Sequence, residues 1–164
     1  MKDELKGRPM RVYVDTSVFG GAFDAEFSSA SQAFFSEVRS GRFRVAVSDV
    51  VVQELDGAPN RVRTLYGEFE GRLEMLEISE AALGLVRAYL AAGIVGERWR
   101  ADALHVALAS AAGCRAIVSW NFRHIVHFER IPLYNGVNVT HGFGPLAIHT
   151  PQEMLHYEDQ DKDV

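Results

Sequence analysis

Short apolar, β-branched runs alternate with segments of helical period along the whole chain, and that alternation leaves few folds open. Residues 11–15 read as a short buried strand ending at Asp15, and Gly20-Gly21 soon after reads as a loop. Ser28 or Ser29 is placed to cap a helix carrying Ala33, Phe34 and Val38 on one face, with Gly41 as its stop. Phe43 to Val47 is a second strand. Ser48 or Asp49 then caps a helix through Val51, Val52 and Leu55, broken at Gly57-Ala58-Pro59. Asn60 to Phe69 is helical, and Leu73 to Ile78 is a third strand. Ser79 caps a helix with Leu83, Val86 and Leu90 at helical spacing, closed by Gly93. Trp99 to Ala112 is a further helix with a wide apolar face, and Gly113 suits a left-handed cap. Ala116 to Ser119 is a fourth strand, Asn135-Gly136 a turn signal, and Leu146 to His149 a last strand. Thr150-Pro151-Gln152-Glu153 has a capping-box pair and proline at the first helical position. This order implies an α/β protein, a three-layer α/β/α sandwich around a central, mostly parallel sheet. Residues 1–10 read as a flexible N-terminal segment, 11–157 as a single domain and 158–164 as a charged tail.

In such sheets ligands gather beyond the carboxyl ends of the strands. Asp15 and Asn121 fall at such ends, and Glu54 and Asp102 lie near helix starts. Oxygen ligands converging there suit Mg²⁺ or Mn²⁺, ions that promote phosphodiester cleavage. Each residue also has a plainer reading. On that reading Asp15 closes a turn, with Thr16 and Ser17 as neighbouring hydroxyls. Glu54 sits on the exposed face of its helix. Asp102 serves the helix dipole, with His105 one turn on packed at a core rim. Asn121 is a turn residue beside Ser119; its amide oxygen brings no charge and cannot act as a base.

Bulk properties narrow the classes. The 164 residues and 48% hydrophobic content suit one domain with a real core. A net charge of -5 argues against a broadly electrostatic nucleic-acid binder, but not against a nuclease, whose carboxylates add negative charge that bound cations return locally. Basic residues cluster at Arg61 and Arg63, at Arg98 and Arg100, and at Arg123 near His124; they line a groove or lie on solvated helix faces. No apolar run approaches a membrane span, and the charged N-terminus does not read as a signal peptide. Cys114 is the only cysteine, which removes intrachain disulfides and Cys-based zinc sites and leaves a reducing cytoplasm as the expected location.

Four pieces in order carry a resemblance: Val-Asp-Thr-Ser-Val at 14–18, Val-Val-Gln-Glu-Leu at 51–55, Ala-Asp-Ala-Leu-His-Val-Ala at 101–107 and Val-Ser-Trp-Asn-Phe-Arg-His-Ile at 118–125. Over most of its length, from about Arg11 to the helix opening at Thr150, the chain resembles the PIN-domain family, including VapC-like toxins of bacterial toxin–antitoxin pairs. It looks like the subgroup with a Trp-Asn-Phe motif. The resemblance implies direct metal carboxylates at Asp15 and Asp102, with Glu54 completing an acidic triad, and a fourth catalytic position at Asn121, where many relatives carry Asp. Thr16, Ser17, His105 and Ser119 would support them, and Arg98, Arg100 and Arg123 would contact RNA. The implied activity is Mg²⁺- or Mn²⁺-dependent endoribonuclease action, with a small antitoxin as partner and a homodimer as assembly. Asn121 leaves three carboxylates instead of four, so divalent-ion affinity should fall. The alternative is a PIN module that binds RNA or a protein partner without cleaving. Two other enzyme classes are disfavoured: haloacid-dehalogenase-type phosphatases need Asp where this chain has Ser17, and dinucleotide binders need a Gly-x-Gly-x-x-Gly turn where it has Thr-Ser-Val-Phe-Gly-Gly.

Overall fold

A computed structural model describes residues 9–156. The expected N-terminal segment up to residue 8, the domain end at 157 and the tail 158–164 lie outside the described residues. Five strands form the sheet: β1 (Met10–Val14), β2 (Phe43–Ser48), β3 (Glu74–Leu76), β4 (Ala116–Val118) and β5 (Ala147–His149). Their order is β3-β2-β1-β4-β5, and every pairing is parallel, with Val12 opposite Val45 and Val14 opposite Val118. Met10, expected in the N-terminal segment, already pairs with Phe43. Val12, Tyr13 and Val14 are fully buried. A parallel sheet is covered on both faces, which is why its central strand reads as a continuous apolar run.

The helices are α1 (Thr16–Gly21), α2 (Ser28–Arg39), α3 (Asp49–Asp56), α4 (Asn60–Phe69), α5 (Glu80–Ala91), α6 (Arg100–Ala111), α7 (Arg130–Thr140) and α8 (Pro151–Leu155), with 3₁₀ turns at Glu70–Arg72 and Glu97–Trp99. The chain winds from β1 outward to β3, then returns past β1 to β4 and β5. Right-handed crossovers therefore put the helices following β1 and β2 on one face and those following β3 and β4 on the other. The packing agrees: α1 touches α2, α3 and α4, and α8 lies on α2, whereas α5 packs on α6 and α7. The winding direction reverses between β1 and β4, leaving a crevice at their carboxyl ends. At the opposite end Arg11 ties the sheet together, with its guanidinium donating to both Glu74 oxygens at 2.7 and 2.8 Å. That hydrogen bonding holds the Glu74 carboxyl below its ordinary range.

Several local expectations are corrected. Gly20 and Gly21 do not form a loop; they complete α1. Gly21 is there because a side chain would collide: a Cβ would stand 2.7 Å from the Trp120 indole and 2.9 Å from Ser31 Oγ. Neither Ser28 nor Ser29 caps α2, whose preceding residue is Phe27, and its buried face is Ser31, Phe34, Phe35 and Val38. Asn135-Gly136 lies within α7; the Asn135 side chain instead accepts the Leu146 N–H and donates to its carbonyl, fastening the segment that leads into β5. The buried face of α5 is Ala82, Leu85, Val86 and Tyr89, so of the expected stripe only Val86 is fully covered. Ser79 does cap α5, the capping box at Thr150 and Glu153 forms, and Gly93 and Gly113 adopt positive φ.

Candidate active site

Asp15 follows β1 and stands 3% exposed in the crevice between β1 and β4. Ser17 donates to one carboxylate oxygen at 2.5 Å and Ser119 to the other at 2.6 Å. Those hydroxyls are fixed in turn: Ser17 Oγ accepts the Trp120 N–H at 2.8 Å and Ser119 Oγ the Asn121 N–H at 2.9 Å. The strand end after β4 thus holds the carboxylate at the end of β1. Burial drives the Asp15 carboxyl above its ordinary range; nearby His105 and the two hydroxyls offset part of this, and the charge of Glu54 adds to it. Thr16 does not share in the orientation expected of it: its hydroxyl is buried without a hydrogen-bond partner.

Glu54 lies on α3, and its side chain is 41% exposed. His105 Nε2 stands 2.5 Å from its carboxylate. The other ring nitrogen, Nδ1, is 2.7 Å from the Tyr13 hydroxyl, which is 2.7 Å from Ser48 Oγ. Burial pushes the Tyr13 phenol far up, so it keeps its proton. A continuous hydrogen-bonded chain thus runs from Ser48 through Tyr13 and His105 to Glu54, with Nε2–H donating to the carboxylate. His105 is therefore a buried group linking the central strand to Glu54.

Asp102 is in the first turn of α6. His124 Nδ1 donates to it at 2.8 Å. His124 is positioned by its own N–H, which donates to Asn121 Oδ1 at 3.0 Å, and by the Trp99 ring, 4.5 Å from its own. Asn121 thus shapes the turn that carries His124. In the sequence His124 stands out only as a neighbour of Arg123 and Ser48 only as a helix-cap candidate, whereas Tyr13 and Trp99 show no link to the site. Among the supporting cations, Arg100 pairs with Glu97 at 2.7 Å, whereas Arg98 and Arg123 lie 5.1 and 4.8 Å from the Trp99 ring centre.

The crevice therefore brings Asp15, Ser17, Ser119 and Asn121 into one connected network, with Glu54 and Asp102 each held by a histidine. Among the described residues no three His, Cys, Asp or Glu side chains converge closely enough to form a metal site as they stand. In kind and in electrostatics the donors suit a hard divalent cation. They are carboxylate and amide oxygens, and burial together with the Glu54 charge disfavours an ionised Asp15 carboxylate that a bound cation would favour. Asp15, Glu54 and Asp102 are the residues that would hold it. A separate cavity of about 590 Å³, lined by residues including Phe23, Phe35, Arg39, Arg61 and Leu65, contains none of these acids.

No protein-family model and no curated protein matches the chain. Solved structures do. VapBC2 from Rickettsia felis, bound to a DNA fragment from their promoter, matches with a TM-score of 0.56 at 20% identity, over 86% of this chain and 98% of that one. VapC20 from Mycobacterium tuberculosis, a sarcin-ricin loop cleaving toxin, matches with a TM-score of 0.53 at 13% identity, over 82% and 98%. FitAcB from Neisseria gonorrhoeae gives 0.51 at 14%, over 85% and 97%. The chain has the PIN-domain, VapC-like fold.

Proposed function

We propose that this protein is a Mg²⁺- or Mn²⁺-dependent endoribonuclease, the toxin of a toxin–antitoxin pair. The observation that carries the proposal is Asp15, a carboxylate buried where the sheet reverses its winding and held in place by two hydroxyls. Its fixed oxygens offer their remaining lone pairs to the crevice. Glu54 and Asp102 add charge from α3 and α6, and His105 and His124 keep both carboxylates oriented. When bound, a divalent ion lowers the pKa of the attacking water and neutralises charge growing on the phosphate. Asn121 contributes an amide oxygen and the turn that seats His124. A small antitoxin, supported by similarity to the VapBC2 and FitAcB structures, and a homodimer belong to the same reading. A cytoplasmic site of action belongs to the same reading; among the described residues no helix is long and apolar enough to cross a membrane.

The test is cleavage of labelled total RNA by purified protein with Mg²⁺, with Mn²⁺ and after chelation with EDTA. Cleavage that requires the ion is expected. Cleavage persisting in thoroughly chelated protein would contradict the metal mechanism, and no cleavage under any condition would favour a binding module.

A further inference from the structure

Residues 120–124 place different chemistry on the two sides of Asn121. On the α2 side, Trp120 stacks on Phe27 with ring centres 4.3 Å apart, and Phe122 rests beside both at 6.0 and 6.1 Å. Phe122 is nevertheless 48% exposed. An aromatic ring held by neighbouring rings and half exposed offers surface on which a planar group can stack. On the α6 side, Arg98 and Arg123 come from two different segments and both settle against Trp99. Trp99 in turn packs on His124, the partner of Asp102. Neither Arg98 nor Arg123 forms an ion pair with a described carboxylate, in contrast to Arg100. Cations fixed on an indole lose less freedom on binding an anion than cations on free side chains.

Building on the ribonuclease reading, we propose that these residues position the substrate. The base of one unpaired nucleotide beside the scissile bond lies on Phe122, and Arg98 and Arg123, braced by Trp99, hold an adjoining backbone phosphate. The Phe122 ring, packed at a tilt against Phe27 and Trp120, keeps about half of its surface free for a base. A base still stacked in a duplex has no face to offer it, so the chemistry selects an unstacked nucleotide. Phe122 and the two arginines are positioning residues: they touch the substrate but none of the reacting atoms.

The test uses the full chain with a short labelled single-stranded RNA that the protein cuts, a matched series carrying one abasic position each, and a salt series. Phe122→Ala is expected to raise KM on the order of 10-fold with little change in kcat, and Phe122→Tyr to restore it. In the wild type one abasic position near the cut should weaken KM by a similar factor; in Phe122→Ala that penalty should vanish. Arg98→Ala and Arg123→Ala should each lower the slope of log binding against log salt by about 0.7, and Phe122→Ala should leave the slope unchanged. Cleavage with an unaltered abasic profile in Phe122→Ala overturns this inference and leaves the ribonuclease reading standing. Failure of the wild type to cut any RNA with either ion overturns that reading and this inference with it. Binding of a protein partner, but not of RNA, through Phe122 and Arg123 also overturns it.

Discussion

Gly20 and Gly21 are neighbours in one helix, yet replacing each by alanine should have opposite effects. In a helix interior alanine is better than glycine by up to about 1 kcal/mol. At Gly20 nothing lies within 4 Å of an added Cβ, so Gly20→Ala should keep that gain. At Gly21 the Cβ would stand 2.7 Å from Trp120 Cδ1 and Nε1. The indole has no room to retreat, because it is 9% exposed, stacked on Phe27, and donates Nε1–H to Ser31 Oγ at 2.7 Å. Overpacking at such a site costs about 1–3 kcal/mol. Losing the Trp120–Ser31 bond and stranding a buried donor adds about 1–3 kcal/mol. After the propensity gain, Gly21→Ala should destabilise by about 1–5 kcal/mol in urea unfolding without a change in m. The effect should reach the site as well, since the Trp120 N–H fixes the Ser17 hydroxyl that orients Asp15. Equal stability of the two variants would refute this account of why Gly21 stands beside the crevice.

The buried Asp15 charge gives a pH dependence of definite sign. Its folded pKa is raised, so ionisation opposes folding, and metal-free stability should fall as pH rises from the ordinary carboxylate range through the raised value. In EDTA at neutral pH, Asp15→Asn should therefore melt higher than the wild type, by roughly 3 °C for each kcal/mol relieved. Saturating Mn²⁺ should reverse the order, because only the wild type keeps the full ligand; a variant that melts lower than the wild type in EDTA would contradict the desolvation argument. Asn121→Asp keeps an acceptor for the His124 N–H and adds a charge to the crevice, so it should tighten Mg²⁺ binding in a calorimetric titration. An unchanged or weaker titration would count against a ligand role at this position.

The strands and the polar residues beyond their ends were legible because a parallel sheet buried on both faces needs continuous apolar runs, and because those runs are followed by Asp15 and, a few residues after β4, by Asn121. Glycine and asparagine punctuation misled where a distant side chain set the local structure. Gly21 is chosen by Trp120, a hundred residues on, and Asn135 by the backbone of Leu146. Which acid each histidine pairs with was hidden for the same reason. Nothing near Glu54 announces His105, and only the fold brings His124 to Asp102. Tyr13 carried the one available hint: a hydroxyl in the middle of a fully buried strand must be bonded to something, and here it is bonded to Ser48 and His105.

The most direct test of the central claim is cleavage of a labelled RNA pool in Mg²⁺ and in Mn²⁺ by the wild type, Asp15→Ala and Asp102→Ala, purified in parallel and matched for folding by circular dichroism. The account predicts ion-dependent cleavage by the wild type and its loss in both variants, by at least about 100-fold for the loss of charge that must act on the scissile phosphate. Undiminished cleavage in either variant would contradict it.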